Sequence, residues 1–536
     1  MKLILIISIL YALPVAAEDS ALKYRNIFYS LAKGEYSEDQ ISKFILLEPD
    51  STRGIRPVGP TAEDSLRLAK DLLKSLSPDQ MYLTGKKYPV DKQNIPAKPS
   101  FNEPLTLILF PGFFGELTKY LPFDDLLHQG NSSFSRKFQS ILEERNPHQD
   151  RDLAFSLDSM SDVEYNIEDL IEVGSIDDDE GQPIIQVIFL KPPFLSLESL
   201  SPMSHHLKYY KRRLDKIWSL FGGFQNLYFS SYSMGVNTAL GLISEADKAS
   251  IKPPWYDALN GVVSFSGSIW GTDVADAILY GHNTPLQHFT NFLDVLDSLQ
   301  EGESWFVRKH NRKKLLKATY ELSQLMLKAK NSIAHEPYQG LIGDLGEAFR
   351  IFSGLSKQTH FMGSIYSNRS FVQRIKLFSL HFRAALKDLS SQGRVQWFAN
   401  HTLPSHLKYY AFRSTMAGKI TSQNNIASSH LLHNPIYKFQ NFDYFGMRAM
   451  YYASHEVENM DFSDSMINGF QGSFFPELHM QLNPRQEYYL SENLAVFSTH
   501  HLGAVYQNNL STYPSEAHRF PFYLILKSLA YYLAED

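Results

Sequence analysis

The densest chemical signal in this sequence is the pentapeptide Ser231-Tyr232-Ser233-Met234-Gly235. The apolar run 226–230 leads straight into it, and 236–246 follows with helical spacing. A serine hydroxyl is a weak nucleophile and attacks only when a base takes its proton. A strand that turns sharply into a helix presents that oxygen at the strand end. There it lies beside a helix N-terminus, whose backbone N–H groups point at developing negative charge. The turn is tight, so small residues are needed two before and two after the serine. Gly235 meets the second demand, and Ser231 stands where a glycine is usual. Ser233 is therefore the candidate nucleophile, and the N–H of Met234 a candidate oxyanion donor.

A serine placed this way needs an acid and then a histidine further along the chain. The candidate histidines are His455, His479, His500 and His501. The adjacent pair follows the apolar stretch 487–496 and precedes Leu502-Gly503. The candidate acids are Glu456, Glu458, Asp461 and Asp464. The residues by themselves leave both choices open.

The elements that must position such groups are legible as short apolar runs. They fall at 105–110, 183–190, 226–230, 261–265, 407–412 and 487–496. Helical patterns lie between several of them, as at 207–220 and 236–246. This alternation predicts a mostly parallel sheet with helices on both faces. Residues 125–182 interrupt it with polar and acidic sequence that ends in Asp177-Asp178-Asp179-Glu180-Gly181. No spaced calcium-ligand loop is visible there, so the run reads as a solvated turn. A longer interruption, 277–402, reads as helix after helix, for example 313–328 and 370–389, and is expected to form a cap. The string His-Leu-Lys-Tyr-Tyr occurs at 206–210 and again at 406–410. The first copy reads as helix and the second as strand, and their flanks do not match, so no repeat is inferred.

The chain has 536 residues, which suits one large domain with insertions or two domains. Its 43% hydrophobic and 20% charged residues are those of a globular chain. A net charge of −6 gives no basic surface for nucleic acid. The absence of cysteine excludes a thiol nucleophile, a thiolate zinc site and lipid attachment through cysteine. Met1-Lys2, the apolar run 3–13 and Val15-Ala16-Ala17 read as a secretory signal cleaved after Ala17, and no later stretch has transmembrane length. A secreted or periplasmic protein is expected. The divisions that follow are a signal peptide (1–17) and an N-terminal helical segment with linker (18–100). That segment carries an apolar stripe over 62–76, and Pro96, Pro99 and Pro104 mark the passage into the core. Then come a first core part (101–276), the cap (277–402) and a second core part (403–536).

Three further segments carry a family resemblance. They are Leu107 to Phe113, Ser266 to Asp276, and His500-His501-Leu502-Gly503. With the serine pentapeptide, and in this order, they resemble the bacterial lipases of the α/β-hydrolase superfamily. The resemblance covers roughly 105–276 and 404–536. It implies an α/β-hydrolase fold, into which the helical pattern of 277–402 would be inserted as a large cap. It makes His501 the base and aligns Asp464, in Asp461-Phe462-Ser463-Asp464, with the family aspartate, leaving Asp461 as runner-up. It places a second oxyanion donor at Phe113, after the Pro111-Gly112 turn. The sequence departs from the pattern at Ser231, at Pro111 in place of a histidine, and at His500 in place of an aspartate.

The implied activity is hydrolysis of carboxylic esters through an acyl-enzyme, by a lipase or carboxylesterase without a cofactor. The partner would be a small-molecule or lipid ester, met in transient contact with a lipid interface. An aromatic content of 13% and a helical cap suit a covered, apolar site. The same residues would also serve an acyltransferase, and a decayed hydrolase scaffold that only binds would keep much of the pattern. Several relatives carry a structural calcium, but no ligand set is apparent here.

Overall fold

The computed structural model describes residues 103–112, 132–145, 151–156, 161–178, 180–192, 201–280, 369–415, 471–498 and 522–535. It also describes Asp464, Met466, Ile467, His501 and scattered positions within 20–32 and 291–321. The expected signal peptide, the 62–76 stripe and the linker prolines up to Pro99 lie outside these residues.

The centre is a seven-stranded sheet in the order β4-β5-β1-β6-β7-β8-β9. Its strands are β1 (Leu105–Phe110), β4 (Ile171–Asp177), β5 (Pro183–Leu190), β6 (Leu227–Tyr232), β7 (Leu259–Phe265), β8 (Lys408–Thr415) and β9 (Ser491–Ser498). β5, β1, β6, β7, β8 and β9 run parallel to their neighbours, and only β4 is antiparallel, against β5. This is the α/β-hydrolase arrangement. β1 and β6 are buried along their whole length. That is why they read as unbroken apolar runs rather than as alternating ones.

β1 divides its side chains between two cores. Ile108 and Phe110 face one layer, while Leu105, Leu107 and Leu109 face the other. The first layer is built with α3 (Met203–Phe221) and α4 (Gly235–Lys248), through Tyr210, Leu214, Ile217, Val236, Leu240 and Ile243. The second is built with α9 (Phe522–Glu535), through Leu524, Ile525, Leu529 and Tyr532. Tyr24, Ile27 and Phe28 from the N-terminal segment are also fully or nearly fully buried in this second layer. The Tyr24 hydroxyl donates to the Ile525 carbonyl (3.2 Å), and its ring meets Phe412 edge-on at 5.0 Å.

The acidic stretch before β5 carries more structure than its composition announced. It holds α1 (Ser133–Glu144), a hairpin of β2 (Arg151–Ser156) and β3 (Ser161–Asn166), the short α2 (Ile167–Leu170) and β4. β4 is an edge strand carrying Glu172, Ser175 and Asp177, so its period of two is diluted by polar residues. The Asp177 carboxylate accepts the backbone N–H and hydroxyl of Ser133 at the start of α1, a favourable place for negative charge. Asp178 closes the β4–β5 turn by accepting the N–H groups of Glu180 and Gln182 (2.9 Å each).

Between β7 and β8 the described elements are helices: α5 (Asp273–Tyr280), α6 (Arg369–Leu389) and α7 (Ser391–Asn400). Val395 and Phe398 of α7 belong to the first core layer, so this helix packs on the sheet body. α8 (Pro476–Leu482) precedes β9.

Candidate active site

The chain leaves β1 toward β5 on one side and returns across it to β6 on the other. The carboxyl ends of β1 and β6 therefore flank the switch point of the sheet, where α/β folds place ligands. Ser233 follows β6 at this point. Its φ of 52° puts a non-glycine residue in the left-handed region, a conformation that costs free energy and is held by its surroundings. The Ser233 N–H donates to the Phe265 carbonyl (3.2 Å), and its own carbonyl accepts the Ser268 N–H (3.0 Å).

The small residues around the turn have distinct reasons. A Cβ on Gly235 would lie 2.4 Å from the Phe110 carbonyl oxygen, and one on Gly112 would meet the Tyr232 ring at 2.9 Å and the Ser233 Cβ at 3.1 Å. Ser231 fits where glycine is usual because its hydroxyl, fully buried, donates to the Val263 carbonyl of β7 (3.2 Å).

His501 Nε2 lies 3.0 Å from Ser233 Oγ. His501 Nδ1 lies 2.8 Å from Asp464 Oδ2. A carboxylate only accepts, so Nδ1 carries the proton, and in the neutral ring Nε2 is left to accept the serine hydroxyl. The other carboxylate oxygen, Oδ1, accepts the N–H of Met466 (3.0 Å) and of Ile467 (2.8 Å). All three residues are nearly closed off: Ser233 is 8% exposed, His501 2% and Asp464 1%. A second clasp acts on the backbone, where the His501 N–H donates to the Asp464 carbonyl (2.9 Å).

The structure thus brings Ser233, His501 and Asp464 into one hydrogen-bonded line. Met234 stands at the N-cap of α4. Phe113, Asp461, Glu456, Glu458, His455 and His500 lie outside the described residues. His479 is elsewhere: it sits in α8 with Nε2 on the His401 carbonyl (2.8 Å).

Two contacts were not anticipated from the sequence. The Tyr232 hydroxyl donates to the His501 carbonyl (3.1 Å), and its ring packs on the imidazole with centroids 5.0 Å apart. Ser268 adds its hydroxyl to the Ser233 carbonyl (3.4 Å) and is held by Asn237 Nδ2 (3.1 Å). Tyr232 adjoins the nucleophile in sequence, and that adjacency was the available signal. Its partner lies 269 positions away. Among the described residues, no group of three or more histidine or acidic side chains could hold a metal ion, and no helix is long and apolar enough to cross a membrane.

Fold and site together define a chain of the α/β-hydrolase fold with a serine, a histidine and an aspartate in hydrogen-bonded sequence. No family model matches the chain and no curated protein matches it. Among solved structures it is similar to the metagenomic carboxyl esterase MGS0156, with 12% identity and a TM-score of 0.40, over 96% of this chain and 92% of that one. It is also similar to lipase 1 from Pelosinus fermentans (12% identity, TM-score 0.29, 81% of this chain and 99% of that one). A third similar structure is EstA from Clostridium botulinum (11% identity, TM-score 0.32, 90% and 99%). The fold assignment rests on the strand order and the turn at Ser233.

Proposed function

We propose that this protein is a serine hydrolase that cleaves carboxylic esters, a lipase or carboxylesterase, through an acyl-enzyme. The observation that carries this reading is the unbroken line from Ser233 Oγ to His501 Nε2 (3.0 Å) and from His501 Nδ1 to Asp464 Oδ2 (2.8 Å). Ser233 Oγ attacks the ester carbonyl carbon while His501 Nε2 takes the hydroxyl proton. Asp464 holds the imidazole in the tautomer that can accept it and stabilises the imidazolium. The carbonyl oxygen, now an oxyanion, is received by the backbone N–H groups of Met234 and Phe113. The tetrahedral intermediate collapses, the C–O bond to the alcohol breaks, and His501 gives its proton to the leaving oxygen. Water then attacks the acyl carbon with His501 as base, and the carboxylic acid leaves as Ser233 regains its proton.

The stretch 277–402, read as helical from its sequence and lying for the most part outside the described residues, is proposed as the cap over this site, bringing an apolar ester out of water or from a lipid interface. Export with cleavage after Ala17 is part of the same proposal, and N-terminal sequencing of the protein from its host tests it. The catalytic reading is tested with p-nitrophenyl esters of graded acyl length and a fluorophosphonate probe. Native protein is expected to turn over the esters and take the label, and Ser233→Ala to do neither. A native protein that neither hydrolyses nor labels refutes the reading, and hydrolysis that survives Ser233→Ala removes Ser233 from the role.

A further inference from the structure

Asp464 is held through one particular peptide group. Its Oδ1 accepts the N–H of Ile467 (2.8 Å). The carbonyl at the other end of that same peptide, Met466 C=O, accepts the hydroxyl of Thr272 (2.6 Å), across 194 positions of sequence. The donors converge on the Asp464 carboxylate from both sides. Thr272 O–H gives to Met466 C=O, the Ile467 N–H of that peptide gives to Asp464 Oδ1, and Asp464 Oδ2 takes the proton side of His501 Nδ1. The Thr272 contact therefore fixes the 466–467 peptide whose N–H holds Oδ1, in a poorly solvated interior where such hydrogen bonds are stronger than in water. Thr272 and Asp464 are both buried, at 8% and 1% exposure.

Thr272 is itself fixed. Its N–H donates to the Leu389 carbonyl (2.9 Å) at the end of α6, and its Oγ1 accepts the Val274 N–H (3.2 Å) in the first turn of α5. With that lone pair engaged, the hydroxyl proton is directed at Met466.

Resting on the ester-hydrolase reading, we propose that Thr272 is a positioning residue for the reaction, orienting the Asp464 carboxylate through the 466–467 peptide. It touches neither substrate nor the reacting atoms.

The test uses the full chain as native protein, Thr272→Val and Thr272→Ser, with Ser233→Ala in parallel. kcat and KM for p-nitrophenyl butyrate are measured across pH, with thermal unfolding and the low-field proton resonance of His501 Nδ1–H. Thr272→Val is expected to lower kcat by about tenfold at unchanged KM, the scale of one lost buried hydrogen bond. The acid limb of its kcat/KM profile is expected to move to lower pH, because a loosened carboxylate stabilises the imidazolium less. Its Nδ1–H resonance moves upfield or broadens, and Thr272→Ser returns all three values to native. Loss of the α5 cap alone would lower the unfolding temperature and leave kcat, the pH limb and the resonance native, and that result overturns the proposal. If Thr272→Val does not fold, Thr272→Ala carries the same expectations. Native inactivity refutes the hydrolase reading instead, activity in Ser233→Ala removes Ser233 from its role, and in either case the Nδ1–H resonance of the variants still decides whether Thr272 orients Asp464.

Discussion

Gly235 and the Phe110 carbonyl are in direct contact: a Cβ at 235 would sit 2.4 Å from the oxygen and 2.7 Å from the next carbonyl, that of Pro111. The start of α4 therefore rests on the end of β1, and the turn at Ser233 cannot move without moving Pro111 and Gly112. Gly235→Ala must push backbone against backbone. It is expected to cost about 1–3 kcal/mol, the range for overpacking a tight interior, and to reduce kcat by displacing Ser233. Gly222, at φ 74° with open space where a Cβ would go, is the control. Gly222→Ala carries only the left-handed penalty of about 1–2 kcal/mol and leaves kcat alone. Urea unfolding and ester kinetics on both variants check this, and equal kinetics in the two would contradict it.

The Asp464 side chain is fixed on both oxygens, so Asp464→Asn should fold with the loop in place. The Asn Oδ1 can keep the Met466 and Ile467 N–H groups, which leaves an NH2 facing His501 Nδ1. The imidazole then prefers its proton on Nε2, where it cannot take one from Ser233. A fall of about 10⁴ in kcat is the order expected for this tautomer error, with native unfolding behaviour. A loss of tenfold or less would move the acid role to another carboxylate.

Tyr232 links the turn to the histidine by a hydroxyl and by a ring face, and the two are separable. Tyr232→Phe keeps the ring on the imidazole and removes the donor to the His501 carbonyl. The expected cost is about 1 kcal/mol for a buried hydrogen bond, with kcat lowered less than tenfold. Tyr232→Ala removes the ring as well and should reduce kcat much further. Similar kcat values for the two variants would show that the ring contributes nothing to placing His501.

The legible part of this fold is the part that local pattern decides. His-Leu-Lys-Tyr-Tyr makes the point. In α3 the buried positions His206, Tyr209, Tyr210, Arg213, Leu214 and Ile217 recur at three and four, and the segment is helical. At its second occurrence Tyr409 and Tyr410 are both fully buried, one in each core layer, as neighbours on a strand must be. The flanking period, not the pentapeptide, chooses between them. β4 was hidden because its acidic side chains look like a loop until Ser133 is seen to meet Asp177. Ser233 could be read from its own neighbourhood. Asp464 and His501 could be singled out only by resemblance, since they are joined across 37 positions. The Thr272–Met466 contact had no local signature at all.

His479 gives a prediction about pH. It is fully buried, packed edge-on against Phe398 at 4.7 Å, with Nε2 donating to the His401 carbonyl at 2.8 Å. Burial disfavours its charged form and outweighs the backbone groups of His401 and Phe398, which favour it. Burial, with the nearby Arg394 charge adding to it, pushes its pKa down from 6.5 to about 4. The unfolded chain then binds a proton between pH 6.5 and pH 4 that the folded chain refuses. Stability from this group is complete above pH 6.5 and is lost as pH falls toward 4. The slope cannot exceed about 1.4 kcal/mol per pH unit, and the whole window is worth about 3 kcal/mol at most. His381, lowered to about 4 by burial and then by His205, acts in the same window, so the native curve contains both. His479→Gln keeps an amide donor for the His401 carbonyl and cannot ionise. Its urea midpoint should fall less steeply than the native one below pH 6.5, and the two should run parallel above it. Curves that stay parallel down to pH 4 would show that His479 takes up its proton in the folded protein as readily as in the unfolded chain.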